Sequence, residues 1–167
     1  MGFLEQKIVL MSRTILLCFS VFLFVSSCKN PISKLPYYNT PDFTPLFLNS
    51  DEAAQQITHK IPFFEFLNQH QKPYSSKGLE NKIHVASFIF TTCTDICPRM
   101  TSNMKIVESV FANDPLVEIL SFSVTPWTDN SKKLLDYASF YEIKAKNWHF
   151  LTGEKSKIYS LARQSYF

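Results

Sequence analysis

Three features are missing from this chain of 167 residues, and each absence narrows what it can be. There is no long run of lysine and arginine, and the formal net charge is only +3. Binding to a phosphate backbone needs clustered positive charge, so no nucleic-acid role is expected. The apolar run nearest the N-terminus, "ILLCFSVFLFV" from Ile15 to Val25, falls short of the about 20 residues that span a bilayer. No internal repeat is found, which excludes solenoids and propellers. Cysteine is sparse as well, with Cys18, Cys28, Cys93 and Cys97 making up the whole set.

What is present reads as a folded domain. Hydrophobic residues make up 46% and charged residues 19%, a balance that allows a core and excludes wholesale disorder. Phenylalanine occurs 16 times, which favours an aromatic core built on strands. The length suits one domain.

The N-terminus reads as a processing segment. Lys7 and Arg13 supply a basic flank, and the apolar run that follows has the length of a secretory h-region rather than of a span. A start at Met11 gives the same pattern as a start at Met1. The competing reading, a buried core helix, fits the terminal position and basic flank less well. The run closes on Val25-Ser26-Ser27-Cys28, which resembles a bacterial lipobox; plain cleavage after small residues is the alternative. On the lipobox reading, residues 1–27 are a lipoprotein signal peptide and Cys28 is lipidated. The protein is then exported and held by lipid chains at a membrane facing the periplasm, inner or outer. Residues 28–50 hold four prolines among Asn, Ser and Thr and read as a tether and extended lead-in. The folded domain is expected over 51–167.

Within that domain Asp51–His59 suggests a short helix. "IPFFEFLNQHQKPYSS" suggests two short strands about a polar turn at Asn68–Gln71, followed by a turn or short helix from Ser76 to Asn81. An alternation then emerges. Lys82–Phe90 and Leu116–Val124 read as buried parallel strands, and Asn147–Leu151 as a third short strand. Helices are expected at Pro98–Phe111, from an Asp129 or Ser131 cap to about Tyr141, and from a Thr152 cap to the end with Ile158, Leu161 and Ala162 on one face. This alternation implies an α/β fold with a mainly parallel sheet. The chain closes on "SYF" directly after the last helix, which leads to the expectation of a longer parent protein.

The stretch "TTCTDICPRM" carries the chemistry. Pro98 suits a first helical position, which puts Cys97 at or next to the N-cap. Cys93 and Cys97 then flank a loop between the C-terminal end of a buried strand and a helix N-terminus, where open α/β sheets place their sites. The helix dipole there is expected to lower both thiol pKa values, with Arg99 adding to the effect and Asp95 opposing it. The residues alone leave three readings open: a structural disulfide, a redox dithiol, and a soft-metal site. Paired thiolates favour Cu(I) or Zn. Zinc wants four ligands, and no such set is evident. Cu(I) accepts two or three.

"SFIFTTCTDICPRMTSNM" resembles the signature of the SCO/SenC family of copper-binding, thioredoxin-fold proteins. "ILSFSVTPWTDNSKKLLDYASFYEIKAKNWHFLTG" and "IPFFEFLNQHQKPYSSKGLENKIHVASF" resemble its downstream and upstream segments, so that the likeness runs over 61–167. The resemblance implies a thioredoxin-like fold whose last strands and helix fall beyond this chain. It implies that Cys93 and Cys97 are the sulfur ligands of copper, as Cu(I), and form a Cys93–Cys97 disulfide when oxidised. The implied role is a metallochaperone that serves the copper site of cytochrome c oxidase, with subunit II or another copper-accepting protein as partner. The alternative is a thiol-disulfide oxidoreductase that reduces the cysteines of the exported apo-oxidase or another substrate. No organic cofactor is expected. A peroxiredoxin-like peroxidase is a weak further alternative, because its pattern of Pro and Thr before a single cysteine is not supplied around Cys93 or Cys97.

Two departures from the family stand out. Thr125 replaces an acid in the loop after the second strand, with Trp127 two places on. The family's third ligand, a histidine, falls past Phe167, so it is not present in this chain. Of the histidines present, His59 and His70 are expected at the solvated surface. His84 is expected at the far end of its strand from the cysteines, and His149 packed or partly exposed in the third strand; none is expected to bind copper. Trp127 and Trp148 are expected to pack, with Trp127 the one placed to meet a partner.

Overall fold

The computed structural model describes residues 35–166. The apolar run, Cys18, Cys28 and both candidate starts lie outside the described residues. The described residues divide into two compact units: residues 35–37 with 45–54, and residues 38–44 with 55–166.

In the first unit, Tyr37 and Leu46 form an antiparallel bridge with N–H···O distances of 2.8 and 2.9 Å. Helix α1 (Ser50–Gln56) begins there. Its start is a reciprocal cap: the Asn49 side chain accepts from the Asp51 and Glu52 amides, and the Glu52 carboxylate accepts from the Asn49 amide. Three N–H groups that would otherwise lack partners are satisfied by this Asn-x-x-Glu pattern.

The second unit is an α/β layer structure. Its strands are β1 (Glu65–Asn68), β2 (Pro73–Ser75), β3 (Ile83–Ile89), β4 (Val117–Ser123) and β5 (Trp148–Thr152). They form one sheet in the order β2-β1-β5-β4-β3. Strands β3, β4 and β5 run parallel, and the β1–β2 hairpin joins antiparallel on β5, so the sheet is mixed. A short 3-10 turn (Ser76–Leu79) follows the hairpin, and three helices complete the unit: α2 (Ile96–Phe111), α3 (Ser131–Phe140) and α4 (Lys155–Ser165). No helix among the described residues is long and apolar enough to cross a membrane.

Alternation along the strands explains the layering. Ile89, Ile119, Trp148 and Phe150 face α2 and α3, meeting Cys97, Leu134, Tyr137 and Ala138. Leu120, Phe122 and Leu151 face the other way, meeting Phe64, Phe66 and the α4 residues Ile158 and Leu161. Successive strand residues point to opposite faces, and helices cover both, so β4 is buried at all seven positions. The phenylalanines cluster about Phe122, with the rings of Phe64, Phe66 and Phe88 between 5.3 and 6.0 Å away. Ile158 and Leu161 are buried as expected, whereas Ala162 is half-buried.

Helix boundaries correct three expectations. Helix α2 starts at Ile96, two residues before Pro98, and Asp95 is its N-cap. Pro98 therefore sits at the third helical position, where an N–H has no intrahelical partner to lose. Helix α3 is capped neither by Asp129 nor by Ser131: Asn130 is the N-cap and accepts from the Lys133 amide. Helix α4 starts after Glu154, not Thr152, which belongs to β5.

Candidate metal centre

The two cysteines lie at the C-terminal end of β3. After Ile89 the chain turns sharply, with the Cys93 amide donating to the Phe90 carbonyl at 3.2 Å, and passes into α2. Cys97 is the second residue of that helix, not its cap. Its amide donates to the Cys93 sulfur at 3.4 Å, so the Cys93 thiol rests over the helix N-terminus. Cys93 is partly exposed and Cys97 is buried; both are free thiols.

This placement splits their acidity, whereas the helix dipole by itself is expected to lower both. The Cys97 amide, with the Asp95 and Ile96 amides beside it, holds the Cys93 thiol below its ordinary range. Burial pushes the Cys97 thiol up, and the neighbouring Cys93 and Asp129 add to the rise. Cys97 is 3% exposed among Ile89, Ile119, Leu134 and Tyr137, so a charge there is poorly solvated. The outer sulfur, more acidic and more exposed, is the readier nucleophile of the two.

The loop is fixed from the side by Asp129, one of the two residues expected from the sequence to cap α3. Asp129 is fully buried. Its carboxylate accepts from the Thr91 amide at 3.0 Å, the Thr91 hydroxyl at 2.6 Å, the Ser123 hydroxyl at 2.8 Å and the Thr125 hydroxyl at 2.9 Å. Burial alone would raise its pKa, but the bonds from Thr91, Ser123 and Thr125 outweigh that and hold it below the ordinary value. Thr125, the residue in place of an acid, thus serves as one of the donors. The only hint in the sequence is the collection of Ser123, Thr125 and Thr128 near one aspartate; Thr91 lies 38 residues away, and no local period marks it.

The histidines are engaged elsewhere. His59, expected at the solvated surface, is partly buried, and its Nε2 donates to the Ser165 carbonyl at 2.9 Å. His70 is exposed as expected. His84 bonds the Tyr166 hydroxyl at 2.8 Å, five residues back along β3 from Ile89, roughly 16 Å at strand rise. That distance excludes it from the sulfur pair. His149 pairs with Glu118 at 3.2 Å and lies against the Tyr74 ring, 4.3 Å between centroids. Burial lowers its pKa more than Glu118 raises it. Among the described residues no group of three or more His, Cys, Asp and Glu side chains is arranged to hold a metal. Among the described residues, what this loop could offer a metal is the two sulfurs of Cys93 and Cys97, and a soft thiolate pair would suit Cu(I) far better than zinc.

The two tryptophans diverge. Trp148 is 1% exposed and its indole N–H donates to the Ser121 hydroxyl at 3.0 Å. Trp127, expected to pack, is 61% exposed in the loop before Asp129, and the Lys155 ammonium stands 4.6 Å from its ring centroid. A β4–α3 loop held by Asp129 from within leaves the Trp127 side chain outside.

A family model described as SCO1/SenC matches residues 52–167. The chain belongs to the SCO1/SenC family. Its likeness to the SCO1 protein homolog of Bacillus subtilis (strain 168) is 37% identity over 117 residues, 69% of this chain and 61% of that one. The chain thus spans about three fifths of the length of that relative. Among solved structures it is similar to BsSco, described as a member of the Sco family of cytochrome c oxidase assembly proteins in which a disulfide switch was identified. The TM-score is 0.59 and the identity 38%, over 65% of this chain and 64% of that one. It is also similar to copper-bound ScoI of Bradyrhizobium japonicum, with a TM-score of 0.52 and 26% identity over 63% and 66% of the two chains. These likenesses agree with the thioredoxin-like α/β fold expected of this SCO1/SenC chain.

Proposed function

We propose that this chain is the copper-handling part of a cytochrome c oxidase assembly factor, and that Cys93 and Cys97 carry Cu(I) as cargo. The observation that supports this reading most is the sulfur pair itself, one thiol over a helix N-terminus and one at the floor of the same loop. Family membership and the copper-bound ScoI relative point the same way. The Cys93 side, partly open, is where a partner thiol can reach, so transfer proceeds by ligand exchange from the exposed sulfur inward. The acceptor is the copper site of oxidase subunit II or a protein with a similar thiol pair. Cys28, read as a lipobox cysteine, tethers the domain to a membrane facing the periplasm. The test is a Cu(I) competition titration on reduced protein. One-to-one binding is expected, lost in Cys93→Ser and in Cys97→Ser; tight binding that survives both substitutions overturns the assignment.

A thiol-disulfide role is the second reading, and the acidity split between the two cysteines favours it. An exposed thiolate that attacks and a buried thiol that resolves is the arrangement such exchange requires. It calls for a dithiol near the potentials of known reductants, about −200 to −270 mV. A value far below about −300 mV marks a structural bridge instead.

A further inference from the structure

Asp129 touches neither sulfur in a hydrogen bond, yet its carboxylate is fully buried against Thr91 at the start of the cysteine loop and gathers donors from three places. Ser123 ends β4, Thr125 lies in the loop after it, and Thr91 begins the cysteine loop. Thr91 contributes twice, through its amide to one carboxylate oxygen and its hydroxyl to the other. That two-point grip fixes the chain direction two residues before Cys93. Cys97 needs no such help, because α2 and the core around Ile89, Ile119 and Leu134 already hold it. Between Ile89 and the start of α2, Asp129 is the side chain that grips the chain ahead of Cys93; the Cys93 end itself is held by the backbone turn to Phe90 and by the amides at the start of α2, that of Cys97 foremost.

We propose that Asp129 is the positioning residue of the dithiol site, clamping Thr91 so that Cys93 is held over the N-terminus of α2 at a fixed placement from Cys97. This rests on the reading of Cys93 and Cys97 as a working pair. A preset separation removes the ordering cost that closing a disulfide or gripping a metal ion would otherwise carry. It also accounts for threonine at position 125: a hydroxyl there donates to Asp129, whereas a second carboxylate would face it.

The experiment is copper-free: protein dithiol plus oxidised glutathione in equilibrium with protein disulfide plus two reduced glutathiones, for the parent, Asp129→Ala and Asp129→Asn. Asp129→Ala is expected to move the equilibrium constant by about tenfold, the scale of a charge-assisted hydrogen bond lost. Asp129→Asn is expected to stay within about threefold, because its amide oxygen still accepts from the Thr91 amide and its NH2 group can donate to the rotatable Thr91 hydroxyl. A folded Asp129→Ala protein with the parent's equilibrium constant overturns the proposal. So do equal shifts in the two variants, which mark a charge effect. Should Asp129→Ala fail to fold, Thr91→Val carries the test: it deletes the hydroxyl donor alone, a partial shift supports the clamp, and no shift overturns it. A parent that binds no Cu(I) while Asp129→Ala still shifts the equilibrium defeats the copper reading and leaves the clamp standing. The reverse result separates them the other way.

Discussion

Replacing the two cysteines by serine should not cost the same, and the difference can be worked from their burial. Cys97 is 3% exposed, packed among Ile89, Ile119, Leu134, Trp148 and Phe150. A free thiol in such a place behaves as a small hydrophobe. Serine puts a strongly polar hydroxyl there and offers its proton only the neighbouring Cys93 sulfur, a weak acceptor, at a cost of about 1–3 kcal/mol. Cys93 is partly exposed and its replacement should stay within about 0.5 kcal/mol. With a urea slope of about 1–3 kcal/mol per molar, the Cys97→Ser midpoint should lie about 1 M below that of Cys93→Ser. The assay is urea unfolding of reduced, copper-free protein, followed by tryptophan fluorescence and circular dichroism together. Coincident midpoints for the two variants would refute the reasoning, since they would mean that the inner sulfur is not buried in the core. The result also decides how the copper titration is read: lost binding in Cys93→Ser reports ligation, whereas Cys97→Ser must first be shown to be folded.

Other outcomes follow from the same geometry. Iodoacetamide should modify Cys93 before Cys97 at neutral pH, because amides lower one thiol and burial raises the other; peptide mapping that finds Cys97 modified first would contradict the placement. Gly153→Ala should cost about 1–3 kcal/mol, read as a lower Tm, because the new Cβ would sit 2.7 Å from Cδ1 of Phe66. That ring is stacked on Phe64 and edge-on to Phe122, so it has little room to retreat, and an unchanged Tm would show that it does. The folded Asp129 carboxyl titrates below its ordinary 3.8, so the stability it contributes is full above that pH and drains as pH falls through the folded value. Asp129→Asn should therefore show a shallower loss of stability below about pH 4 than the parent, and parallel acid limbs in chemical denaturation would argue that the carboxylate is not so held.

The sequence by itself determined the parts of this protein that depend on local pattern. Apolar runs of strand length, separated by helical stretches, gave the α/β alternation, because period and burial are written into consecutive residues. The Asn68–Gln71 turn placed the hairpin, and the Cys93–Cys97 spacing before Pro98 placed the site at a strand end. Helix starts were less legible. Asp129, Asn130 and Ser131 are all capping types, and only the fold shows that Asn130 caps while Asp129 turns inward.

Tertiary structure alone decided what depends on distant segments meeting. Whether a thiol titrates low or high is set by what surrounds it, and the core around Cys97 draws, besides Ile89 of β3, on β4, α3 and β5, far along the chain. The grip of Asp129 on Thr91 joins positions 38 residues apart, a separation at which no sequence period operates. The same holds for His59, an apparent surface residue until Ser165, 106 residues later, folds back to meet it. Local chemistry wrote the motif; packing assigned each sulfur its environment, because solvation and hydrogen bonding are properties of the assembled core and not of the residue.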